Sequence, residues 1–140
     1  MKILLIYGDK NAGKSTACRS LYFELRGLGA TTDYLELING FGDIEAVLSL
    51  NGSKIAIYSA GDNKDYIIAA RELAKKWNCD VLIAPVTKGC HYNEVLEDLE
   101  NEKDFFWFPL EKGADEAEMD RNEERLNEEL IKIIREIINF

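Results

Sequence analysis

Apolar residues along this chain recur with two periods, and the alternation between them predicts the fold. Residues 2–7 are a short run of mostly β-forming apolar side chains and read as a buried strand. Ala17, Leu21, Leu25 and Leu28 then recur at helical spacing, with Gly27 and Gly29 as the stop. Residues 31–38 alternate polar and apolar positions, which predicts a second strand. After the turn cluster Asn39-Gly40-Phe41-Gly42, Asp43 can cap a short helix to about Leu50 with Ile44, Val47 and Leu48 inward, and Asn51-Gly52-Ser53 breaks it.

Residues 54–58 begin a third strand that runs on through Ser59-Ala60-Gly61 to Asp62. Asn63 or Asp62 caps the helix that follows, with Ile67, Ala70, Leu73, Ala74 and Trp77 on one face. Residues 80–86 predict a fourth strand. Thr87-Lys88-Gly89 turns into a short helix carrying Val95, Leu96 and Leu99, and residues 105–108 form an aromatic last strand closed by Pro109. Asp115 with Glu118 forms a capping box for a long final helix with Leu126, Leu130, Ile133, Ile134 and Ile137 in a stripe. That stripe suits docking on the sheet or pairing with another copy. The acidic residues Glu123, Glu124, Glu128 and Glu129 fall mostly outside it, as on a solvated helix face.

Strands alternating with helices predict an α/β, three-layer α-β-α sandwich around a five-stranded parallel sheet, because parallel pairing needs crossovers that cover both faces. A length of 140 residues fits one domain, 1–140, with a core of its own. Ligands of such sheets bind at the carboxyl ends of the strands. Gly8, Asp62, Lys88 and Pro109 all follow strand ends and are expected to share that edge.

Charge narrows the partners. With 26 acidic against 17 basic side chains the net charge is -9, so nucleic acid and anionic membranes are repelled and neither is expected as a partner. Cys18, Cys79 and Cys90 are scattered and only one histidine is present, which gives neither a zinc cluster nor a disulfide framework. The amino-terminal apolar run is too short to span a membrane, and a reducing cytoplasm is the expected compartment.

An anionic ligand must therefore be held by a local device, and the first turn of the chain contains one. Gly8-Asp9-Lys10-Asn11-Ala12-Gly13-Lys14-Ser15 fits G-x-x-x-x-G-K-[ST] at every fixed position, between a predicted strand and a predicted helix. In this pattern the loop amides and the positive end of the helix hold a polyphosphate. Gly8 and Gly13 permit the close backbone approach, Lys14 reaches the β- and γ-phosphates, and Ser15 sits on Mg²⁺, a cation that prefers oxygen ligands. Thr16 is a weaker candidate for the α-phosphate, and Lys10 faces either the γ-phosphate or solvent.

This stretch resembles the Walker A motif of the P-loop nucleoside triphosphatase and kinase superfamily, and the resemblance covers residues 8–15 alone. It implies that the loop from Gly8 to Thr16 binds the nucleotide and that Lys14 is catalytic. A looser resemblance to the Walker B acid falls on Asp62, as catalytic residue and, with Ser15, as magnesium ligand, the alternative being a plain helix cap. The kinase-like branch implies the sheet order 2-3-1-4-5, an acceptor site between strands two and three near Asp33, Glu36 and Asp43, adenine against residues 110–114, and an arginine-bearing lid. Asp43 has a helix cap as its alternative.

No arginine occurs between Val86 and Lys103. Lys88 is the substitute there, His91 reads better as a surface residue, and Arg19 and Arg71 lie on helices. The guanine-reading pattern N-K-x-D is broken by Tyr66 after Asn63-Lys64-Asp65.

The function implied is binding of a Mg²⁺-nucleoside triphosphate, with ATP the expected one, and its hydrolysis or the transfer of its γ-phosphate. The alternatives are a kinase with a small acceptor and a non-catalytic module whose nucleotide state is read by a protein partner, such a partner also supplying an arginine. A further alternative is a degenerate loop that binds only inorganic anions.

Overall fold

Ile3, Leu4, Leu5 and Ile6 are each at most 1% exposed. A strand covered on both faces in this way belongs in the middle of a parallel array. In the computed structural model, which describes residues 1–38, 42–89 and 105–140, it is β1 (Lys2–Gly8). There follow α1 (Lys14–Gly27), β2 (Thr31–Ile38), β3 (Asp43–Leu50), β4 (Ser53–Tyr58), α2 (Lys64–Lys76), β5 (Val81–Thr87), β6 (Phe105–Pro109) and α3 (Glu116–Ile138). The expected helix at Val95, Leu96 and Leu99, together with Cys90, His91 and Lys103, lies outside the described residues, as do residues 39–41.

The six strands form one mixed sheet in the order β2-β3-β4-β5-β1-β6. From β4 to β6 all neighbours run parallel, whereas β2 with β3 and β3 with β4 are antiparallel. The expected five-stranded parallel sheet in the order 2-3-1-4-5 is therefore corrected twice.

The first correction is the stretch expected to be a short helix, which is the strand β3. Ile44, Ala46, Leu48 and Leu50 are buried at alternate positions and join the core on the α1 side. Asn51 and Gly52, with φ of 51° and 80°, make a two-residue connection between the paired residues Leu50 and Ser53. Such a pair of left-handed residues gives the turn whose twist matches an antiparallel hairpin. The second correction is that β5 stands between β1 and β4, so the strand leading to Asp62 is not a neighbour of β1.

Two cores sit on the two faces of the sheet. Ala17, Cys18, Leu21 and Leu25 of α1 and Leu126, Leu130, Ile134 and Ile138 of α3 pack on one face. Ile67, Ala70, Leu73 and Ala74 of α2 pack on the other. Helix α1 stops as its glycines predict, with Gly29 at φ 105° and the Ala30 amide donating to the Leu25 carbonyl at 3.0 Å.

The stripe of α3 is taken up within this fold. Asp115 caps the helix through the Glu118 amide at 2.8 Å, and buried Asn127 donates to the Ala17 carbonyl of α1 at 3.3 Å. The helix ends on the hairpin turn, where Asn51 donates to the carbonyls of Ile138 and Asn139 at 3.0 and 2.6 Å. No helix among the described residues is long and apolar enough to cross a membrane.

Candidate functional site

Four parallel strands bring their carboxyl ends to one edge, and backbone bonds lock them there. The Lys88 amide donates to the Gly8 carbonyl and the Leu110 amide to the Tyr7 carbonyl, both at 2.8 Å. Gly8 is required by packing: a Cβ on it would lie 2.5 Å from the Leu110 carbonyl oxygen. The same glycine therefore also lets the loop after β6 close against β1, a packing demand separate from the phosphate approach expected of it.

The loop itself turns tightly. The Ala12 amide donates to the Asp9 carbonyl at 3.1 Å, Asn11 has φ 65°, and Gly13 has φ 98°. That last conformation is one that glycine alone adopts without strain. Gly13 is the N-cap of α1, makes no side-chain cap bond, and no acidic residue stands in the first helical turn. The positive end of α1 is therefore not neutralised by its own sequence.

Lys14 is only 5% exposed, and its Nζ folds back to the Asp9 carbonyl at 2.5 Å. Ser15 Oγ donates to the Ser59 carbonyl at 2.7 Å. Thr16 Oγ1 accepts from Arg19 at 3.2 Å.

A cleft of about 290 Å³ opens here. One wall consists of Lys10, Asn11, Gly13, Lys14, Ser15 and Thr16, the other of Gly61, Asp62, Pro85 and Thr87, with Met119 of α3 at the margin. The sequence-predicted residues Lys14, Ser15 and Asp62 thus share one cavity. Gly8, Asp9 and Ala12 are not among its lining residues: Ala12 is buried, and Asp9 contributes the carbonyl that holds Lys14.

How Asp62 arrives explains the three residues that separate it from β4. Ser59, Ala60 and Gly61 are buried, and a Cβ on Gly61 would fall 2.2 Å from the Pro85 carbonyl oxygen of β5. The chain passes over the end of β5 at a distance that only glycine permits and sets Asp62 beside Thr87, whose Oγ1 donates to the carboxylate at 3.1 Å. The cap of α2 is Asn63, which accepts from the Tyr66 amide at 3.2 Å. Asp62 therefore faces the cleft and does not serve as the cap.

The other expected residues fall elsewhere. Asp43 begins β3 and caps no helix; its Oδ1 accepts from Ser59 Oγ at 2.9 Å and pairs with Arg19 at 3.0 Å. Asp33 accepts from Ser49. Glu36 lies opposite Glu45 in the β2–β3 register. Glu45 accepts from the Tyr34 hydroxyl, and this bond pushes that phenol above its usual range. Lys88 is exposed and lies over the Tyr7 ring at 6.0 Å, and neither it nor Arg71 lines the cleft.

Neither described thiol is a nucleophile at neutral pH. Burial pushes Cys18 up to about 12 and Cys79 up to about 11.

Sequence reasoning missed Gly61, Pro85, Thr87 and Met119 as cleft residues, and Ser59 as the partner of both Ser15 and Asp43. The position of Thr87 at a strand end was the one available signal. Compared with known protein families, curated proteins and solved structures, the chain matches none. The reading of the cleft accordingly rests on its geometry.

Proposed function

We propose that the chain is a P-loop protein whose cleft binds a Mg²⁺-nucleoside triphosphate, ATP above all, and hydrolyses it or transfers its γ-phosphoryl group. The observation that supports this reading is the meeting, across one cleft, of an uncapped helix start, the Lys14 ammonium, the Ser15 hydroxyl and the Asp62 carboxylate.

A hydroxyl and a carboxylate are the all-oxygen donor set that suits magnesium, and Ser15 and Asp62 are the residues that would hold it. The ion would supply neutralising charge to the phosphate oxygens. The chain's own residues do the remainder. Lys14 would give up the Asp9 carbonyl for phosphate oxygens, and the Ser15 hydroxyl, released from the Ser59 carbonyl, would be free to hold the ion.

During transfer the attacking oxygen, from water or an acceptor hydroxyl, forms its bond to phosphorus as the bridging bond to the leaving diphosphate breaks, and its proton passes to an oxygen of the transferred phosphoryl group. The charge gathering on that diphosphate is met by Lys14 and the amides of the first turn of α1. Thr87 orients the Asp62 carboxylate through its hydroxyl.

Titration calorimetry with Mg²⁺-ATP tests the proposal. Lys14→Ala is expected to weaken binding by roughly ten- to a hundredfold, the range of a lost charged hydrogen bond. Asp62→Asn is expected to raise the Mg²⁺ concentration needed for half-maximal turnover. Equal affinity of the wild-type chain and Lys14→Ala, or no binding by either, overturns it.

A further inference from the structure

We infer that Arg19 is a phosphate-binding residue supplied by this chain itself, and that Asp43 is the counter-ion that keeps it beside the cleft until an anion arrives. The inference deepens the nucleotide reading of the cleft and rests on it.

Arg19 follows Ser15 by one helical turn, so both side chains leave α1 on the same face. Its Nη2 lies 3.2 Å from Oγ1 of the cleft residue Thr16, and its Nη1 lies 3.0 Å from Asp43 Oδ1. That carboxylate oxygen also accepts from Ser59 Oγ at 2.9 Å, and the Ser59 carbonyl accepts from Ser15 Oγ at 2.7 Å. The contacts close a ring that begins and ends on neighbouring residues of the phosphate loop: Ser15, Ser59, Asp43, Arg19 and Thr16.

The pair at the centre of this ring is built to exchange. The side chains of Arg19 and Asp43 are 34% and 26% exposed, and an ion pair so accessible to water is held weakly. A polyphosphate brings several negative charges and pairs of acceptor oxygens that a guanidinium fork can engage bidentately, against the single charge of one carboxylate. In a chain of net charge -9, placing Asp43 one residue's reach from an anion site is unfavourable unless a cation accompanies it. Arg19 is that cation.

The two residues therefore act on anion affinity with opposite signs, and that is the test. Binding of Mg²⁺-ATP and of inorganic tripolyphosphate is measured by calorimetry for the wild-type chain, Lys14→Ala, Arg19→Ala, Arg19→Lys and Asp43→Asn. Arg19→Ala is expected to weaken both ligands by roughly ten- to a hundredfold, and Arg19→Lys to recover part of the loss, since it restores the charge without the fork.

Asp43→Asn keeps the Oδ1 acceptor for the Ser59 hydroxyl and for Arg19 but removes the negative charge that holds the guanidinium, and is expected to tighten binding severalfold, more so at low salt. If the pair only braces the fold, both variants lower the melting temperature and leave affinity unchanged, and the inference falls. If Lys14-dependent binding persists while Arg19→Ala binds as the wild type does, Arg19 alone loses its role. If the wild-type chain binds neither ligand, the cleft reading falls and this inference with it.

Discussion

The two halves of the sheet are held to different standards. In the parallel half, β1 and β5 are buried almost throughout, and two backbone segments cross so closely that Gly8 and Gly61 have no room for a Cβ. In the antiparallel half, β2 is an edge strand without one fully buried residue, and Leu35 and Leu37 are 45% and 70% exposed. The cleft is built almost entirely from the first half. A site that must hold charged groups at fixed separations needs walls that cannot shift, and the buried parallel strands provide them.

The sharpest way to test this difference is to crowd the crossing at β5. Gly61→Ala places a methyl group against the Pro85 carbonyl and is expected to cost about 4 kcal/mol, the range of severe backbone or core disruption. Denaturant unfolding measures it, and a loss below about 1 kcal/mol would mean that the crossing is pliant.

A second test is alkaline titration of stability. Cys18 lies in the core under α1, with its thiol held up at about 12 by burial. The unfolded chain therefore releases this proton first as pH rises, and folding loses stability from the ordinary thiol range near 9 toward 12. Below that range the contribution is constant. Cys18→Ala flattens this part of the profile; an unchanged profile in Cys18→Ala would contradict the assignment.

In the hairpin half the effects shrink. Gly52 has φ 80° with open space around its Cα, so Gly52→Ala meets no clash and pays only for the left-handed conformation, about 1 kcal/mol. A gain in stability would contradict the left-handed conformation of Gly52. Leu37→Ser, at the exposed edge, is expected to change stability by no more than about 0.5 kcal/mol, and a larger loss would show that the edge is covered.

The same division separates what the sequence made legible from what it did not. The strand-loop-helix at the amino terminus, the caps Asn63 and Asp115, and the inward faces of α1, α2 and α3 follow from local pattern, and local pattern suffices where one segment decides the outcome. Residues 43–50 misled because Ile44, Val47 and Leu48 satisfy helical spacing while small Ala46 blurs the alternation. The decisive signal was Asn51-Gly52, a hairpin turn and not merely a break.

The order of the parallel strands had no local signal, since nothing in β5 states that it lies between β1 and β4. This order fixes the part of the site that stayed hidden. Thr87 reaches Asp62, and Gly61 must be glycine, only because β5 occupies that position. Likewise the contact of Arg19 with Asp43 depends on β3 being a strand.

Hydrogen exchange of the backbone amides with and without Mg²⁺-ATP tests the central claim most directly, because the proposed cradle is made of main-chain N–H groups. The account predicts added protection concentrated on residues 9–16 and around Asp62, little change along β2 and β3, and loss of that protection in Lys14→Ala. Protection absent from residues 9–16, or appearing instead in the groove of about 270 Å³ between Leu110 and Arg125, would contradict it.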